Sequence, residues 1–165
     1  MIGGGDFKTL PDSMFQCREV VAKANSPKFN LQFVEKKRMR FARHGHSCCQ
    51  IQDRYVVVSG SRKEVNQAAQ KVEVYDTQTD DWLEVASLNE GRHYHSSCHF
   101  GNRWVFVFGG IQNQSKKYSN TIERLSFDLG AQKSWELLNV KAGLIGVLDT
   151  LTARQGAGLT QLSSS

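Results

Sequence analysis

Ala42-Arg43-His44-Gly45-His46-Ser47-Cys48-Cys49-Gln50-Ile51 decides the fold, because the stretch returns further along the chain. Gly91-Arg92-His93-Tyr94-His95-Ser96-Ser97-Cys98-His99-Phe100 carries the same pattern, and Ala153-Arg154-Gln155-Gly156-Ala157-Gly158-Leu159-Thr160-Gln161-Leu162 carries it a third time. The aligned arginines at 43, 92 and 154 lie 49 and then 62 residues apart. A period of that length belongs to chains made of repeated supersecondary units, each of which buries its apolar face on the next.

Working outward, each of the first two copies leads into a β-rich run, Tyr55-Val56-Val57-Val58-Ser59-Gly60 and Trp104-Val105-Phe106-Val107-Phe108-Gly109-Gly110. Continuous β-branched and aromatic residues predict a strand buried on both faces. The glycines at its end suit a bend that a Cβ would obstruct. Polar loops follow, Arg62 to Gln70 and Gln112 to Asn120, and then a third strand, Val72 to Asp76 and Ile122 to Asp128. Short polar turns reach Trp82 and Trp135, each opening a fourth strand.

Arginine followed by His-Ser, a strand closing on Gly-Gly, and Tyr75 separated from Trp82 by six residues together resemble a kelch repeat. The resemblance implies an all-β fold of kelch-type β-propeller blades, each of four antiparallel strands (a to d in chain order, the first lining the channel), set around a central channel. By strand count the chain is an incomplete ring of about three blades. Residues 1–38 hold strands b-c-d of a degenerate blade, with Phe29 nearest the tryptophan position and Pro27 interrupting the turn. Residues 39–87 and 88–140 are full blades, and 141–165 are a long connection and the first strand of a further blade. Three situations fit this count: an excerpt of a longer propeller, two chains closing one ring, or an open arc supported by another protein.

Bulk properties narrow the classes. The 165 residues are 39% hydrophobic and 10% aromatic, a globular composition. There is no run of 18 apolar residues, so no membrane partner is expected, and Met1 to Asp6 shows neither a secretory nor a myristoylation pattern. Four cysteines at 17, 48, 49 and 98 have no framework spacing and read as thiols of a cytoplasmic or nuclear protein. The formal net charge of +5 matters only through where it lies.

Candidate chemistry follows the repeats. His44, His46 and Cys48 on one strand, and His93, His95 and His99 on the other, alternate as zinc ligands could. Repetition explains them without a metal, since each blade meets the same packing problem, and no metal or other cofactor is expected. Cys48-Cys49 has no acid–base partner set, and although the resemblance admits copper oxidases, no copper-ligating tyrosine stands out; the chain is read as no enzyme. Tyr75, Trp82, Phe127 and Trp135 are expected in the core.

Arg43, Arg92 and Arg154 precede the strand nearest the channel, where they either satisfy loop carbonyls or grip acidic partners. The b–c loops carry Arg62, Lys63, Lys116 and Lys117, and the d–a connections carry Lys36, Lys37, Arg38, Arg40 and Lys141, all expected at one face. The leading expectation is a protein-interaction scaffold binding another protein or peptide, an acidic segment in particular, through these loops. Self-association to close the ring is a further expectation. The alternative is a metal-binding or enzymatic propeller using the His/Cys strands. Nucleic acid is not expected, because acidic residues interleave the basic ones and no exposed stacking aromatics are identifiable.

Overall fold

A computed structural model describes residues 18–22, 31–62, 68–130 and 133–138. All its regular structure is β. Strands β1 (Arg18–Ala22) and β2 (Leu31–Glu35) form an antiparallel pair. Strands β3 (Ser47–Ile51), β4 (Tyr55–Ser59), β5 (Val72–Asp76) and β6 (Asp81–Val85) form a four-stranded sheet in sequence order. A two-residue ladder joins β7 (Arg92–His93) to β10 (Ile111–Gln112). The second four-stranded sheet runs β8 (Ser96–Phe100), β9 (Trp104–Phe108), β11 (Ile122–Ser126) and β12 (Glu136–Leu138). Every pairing is antiparallel, and among the described residues the sheets form no closed ring.

Period-2 alternation on these strands feeds two cores. One face of the first sheet sends Ile51, Val57, Val72 and Val74 against Val105, Val107, Leu125, Phe127 and Trp135 of the second sheet. Its other face gathers Val58, Tyr75 and Trp82 with Met39. This is why β4 reads as an unbroken apolar run: it is hydrogen-bonded on both edges and packed on both faces. Each fully buried valine contributes roughly 1.5–3 kcal/mol, an upper figure because the unfolded chain already hides some apolar surface. Tyr75, Trp82, Phe127 and Trp135 are all buried, as expected. The indole N–H groups reach back along the chain, Trp82 to the Lys37 carbonyl at 2.7 Å and Trp135 to that of Ala86 at 2.9 Å. Each tryptophan thereby ties its outer strand to the connection entering its blade.

Three details differ from the expected pattern. The inner strands begin only at Ser47 and Ser96, because Gly45 (φ 68°) and Tyr94 (φ 54°) turn the chain just before them. The register of β1 with β2 pairs Val21 with Gln32, so Gln32 takes the place that Trp82 holds opposite Tyr75. Phe29, along with Met1 to Gly4, Pro27 and the strand expected over 156–162, lies outside the described residues. In the second sheet the ladder of β11 with β9 puts Leu125, and not Phe127, at the Tyr75 place.

Candidate partner-binding face

Two of the repeated arginines, Arg43 and Arg92, are structural. The Arg43 guanidinium is fully buried and donates to Glu73 Oε2 from Nε at 3.2 Å and from Nη2 at 3.0 Å. Its Nη1 donates to the carbonyls of Gly60 (3.0 Å), Ala68 (3.0 Å) and Lys71 (2.7 Å). Arg92 repeats the arrangement one blade on: Nη2 to Glu123 Oε1 at 2.7 Å and to Thr121 Oγ1 at 2.9 Å, Nη1 to the Gly109 carbonyl at 3.0 Å. The two glutamates, equally buried, also cap the incoming connection, accepting the backbone N–H of Arg40 (2.8 Å) and of Asn89 (2.7 Å).

The cause is geometric. Where a connection crosses the ends of strands b and c, strand carbonyls are left without ladder partners, and a planar guanidinium with five donors satisfies several at once. Burial draws the Arg43 pKa below its ordinary value, with Glu73 pulling the other way. The expectation that Arg43 and Arg92 grip a partner at the channel mouth is therefore corrected. Apart from Arg92 Nε, which is buried without a hydrogen-bond partner, their donors are spent inside the blade, and no solvent-facing surface remains on the side chains. Arg154 lies outside the described residues.

The basic loops divide. Lys37 pairs with Asp81 at 2.7 Å, its backbone N–H donates to Asp80 Oδ1 at 3.2 Å, and Arg40 Nη2 donates to the Trp82 carbonyl at 3.5 Å. The positive charge of this connection is thus set against the c–d turn and outer strand of the first sheet, away from the b–c loops where it was expected. Arg62, Lys116 and Lys117 are exposed, and loops from both blades meet beside them. Asn113 makes the junction: its Nδ2 donates to the carbonyls of Ser61 (3.0 Å) and Arg62 (3.3 Å), and its Oδ1 lies 2.9 Å from His93 Nδ1. That amide orientation makes His93 Nδ1 the donor. Burial lowers the pKa of His93, and the nearby charges of Arg62, Lys116 and His44 lower it further. Lys63 and Lys141 lie outside the described residues.

Sequence reasoning missed the floor of this face. The Tyr94 ring meets His93 and His44 edge-on, at 5.0 and 6.0 Å between ring centres. Its left-handed backbone matches Gly45, the residue at the same place in the preceding repeat. A glycine adopts that conformation at little cost and a tyrosine does not. The Gly45–Tyr94 correspondence was visible in the aligned repeats as a signal of that turn.

The histidine and cysteine alternation is interrupted at Gly45 and Tyr94, which sets His44 off from His46 and Cys48, and His93 off from His95 and His99. His95 is buried with Nε2 2.9 Å from Ser59 Oγ, and its pKa is lowered well below the usual value by burial first and then by Arg92. Among the described residues no group of three His, Cys, Asp or Glu side chains is set to hold a metal ion. Burial pushes the Cys49 thiol up to about 12 and raises Cys98 as well, so both stay protonated and poorly nucleophilic at neutral pH.

Four-stranded antiparallel sheets stacked face to face, each beginning at the inner strand and ending in a tryptophan-anchored outer one, are blades of a β-propeller. Residues 42–89, which span the whole first sheet, match the family model of the Kelch motif. Residues 42–89 thus carry a Kelch motif, and the all-β, four-stranded antiparallel sheets around it accord with blades of an incomplete propeller. No curated protein matches it. Kelch repeats generally mediate protein–protein interaction.

Proposed function

We propose that this chain is a protein-interaction module whose b–c edge, at the seam between its two complete blades, receives an acidic segment of another protein. The observation that carries the reading is the convergence of Arg62 and Lys116, from two different blades, on His93 and the Asn113 junction, with exposed Lys117 next in the same turn. Exposed cations set on a hydrogen-bonded frame attract carboxylates at long range and hold the register of a docked strand. Guanidinium and ammonium groups divide the work, a planar fork on one side and adaptable point charges on the other. Cys48, Cys49 and Cys98 are free thiols, which accords with a reducing cytoplasmic or nuclear setting.

The test is a quadruple replacement of Arg62, Lys63, Lys116 and Lys117 by serine. Pull-down partners are expected to be lost while the melting temperature stays within about 2 °C, since exposed charges contribute little to stability. An unchanged set of captured proteins sinks the reading.

A further inference from the structure

We infer that Tyr118 is the anchor of this face and that the segment it receives is acidic and amphipathic, carrying an aromatic or large aliphatic side chain beside its carboxylates. The inference rests on the proposed binding edge and adds the apolar half of the recognition.

Residues 114–118 are exposed without interruption, yet the turn they form is tightly fixed. The Gln112 N–H donates to the Lys117 carbonyl at 2.9 Å, the Lys116 N–H to the Gln112 carbonyl at 3.0 Å, and the Ser119 N–H to the Gly110 carbonyl at 2.8 Å. Ile111 and Tyr118 form a β-bridge across its neck. Below the neck, Asn113 and Ser119 are buried, and the Ser119 hydroxyl lies 3.3 Å from Arg92 Nη1. The tip therefore stands on the same ion pair that holds the blade together. A recognition turn mounted this way loses little conformational freedom when a partner docks.

Tyr118 is 65% exposed. Among the described residues, five large hydrophobic side chains are exposed, and the other four, Leu83, Phe100, Leu129 and Leu137, lie on the outer strands or at the opposite turns. Tyr118 is the one on the b–c edge, directly after Lys116 and Lys117 and on the edge that also carries Arg62. A tyrosine presents a large, stiff apolar surface with a hydroxyl at its end, the composition that dominates binding energy at protein interfaces. Carboxylates alone would need only the cations. A ring beside them selects a partner with apolar side chains between its acids.

The test titrates three fluorescent probes against the full chain at fixed salt: an octamer of glutamate, an octapeptide alternating glutamate and phenylalanine, and a ten-nucleotide oligothymidylate. The alternating peptide is expected to bind about tenfold more tightly than octaglutamate. Tyr118→Ala should remove that margin and leave octaglutamate binding as it was, while Tyr118→Phe keeps most of it. If octaglutamate binds but the alternating peptide binds no better, or if Tyr118→Ala preserves the margin, the anchor is wrong and the acidic-segment reading stands. If neither peptide binds, that reading falls and the anchor with it. Preferential binding of the oligonucleotide overturns both in favour of base stacking on Tyr118.

Discussion

Replacing Arg92 with methionine is expected to destabilise the protein by about 3–5 kcal/mol, the cost of leaving one partner of a buried ion pair uncompensated. A domain of this size is stable by only ~5–15 kcal/mol, so the loss removes about a fifth of the total or more. The side chain of Glu123 is itself fully buried and would keep its charge with only the Asn89 groups and the Glu90 N–H to answer it. The carbonyls of Gly109 and Thr121 would also lose a donor. Arg92→Lys should recover little, because one ammonium cannot reach the carboxylate and both carbonyls in the plane that the guanidinium occupies. Adding Glu123→Leu to Arg92→Met should return part of the stability, since it removes the stranded charge. Urea unfolding reads all three variants. An Arg92→Met midpoint equal to that of the parent would return Arg92 to the list of partner-binding residues.

Gly60→Ala is the second large effect, expected to cost about 2–4 kcal/mol. At φ 73° a non-glycine residue pays a backbone penalty of ~1–2 kcal/mol on its own. An added Cβ would also stand 2.4 Å from the Arg92 carbonyl oxygen and 2.4 Å from His95 Cε1. The backbone contact cannot be relieved by a rotamer change. Arg92 is held there by its carbonyl, which accepts the Ser61 N–H at 3.0 Å, and by its own N–H, which donates to Ala69 at 3.2 Å. Gly101, at φ 55° with nothing within 4 Å of an added Cβ, isolates the backbone share: Gly101→Ala should cost about 1 kcal/mol when both variants are compared by urea unfolding. Equal losses at the two sites would mean that the blades are not pressed together at Gly60.

Much of this fold was legible because the repeat declares itself twice in full. The Val-rich b strands, the Gly-Gly ends and the paired tryptophans depend on local pattern, and local pattern survives in a single sequence. The exact partner of a c-strand residue does not. Phe127 resembles Tyr75 by chemistry, yet the ladder with β9 puts Leu125 in that place. Functional residues were harder for a related reason. Arg43 and Arg92 are charged, repeated and close to loops, which are the marks of a binding residue. Only the position of Glu73 and Glu123 within fully buried strand sites reveals that the charges face inward. Conversely, Asn113 sits in a loop that reads as plain polar sequence, and its role comes from hydrogen bonds to a segment about 50 residues away.

The central claim is the location of the binding edge, and an amide chemical-shift titration with an acidic peptide tests it most directly. The account predicts that perturbations gather at His44, Gly45, Arg62, Tyr94 and residues 111–118 and fade as salt rises through the range that screens exposed charges. Shifts confined to the opposite turns, around Gln52 to Arg54 and Gly101 to Arg103, would contradict it.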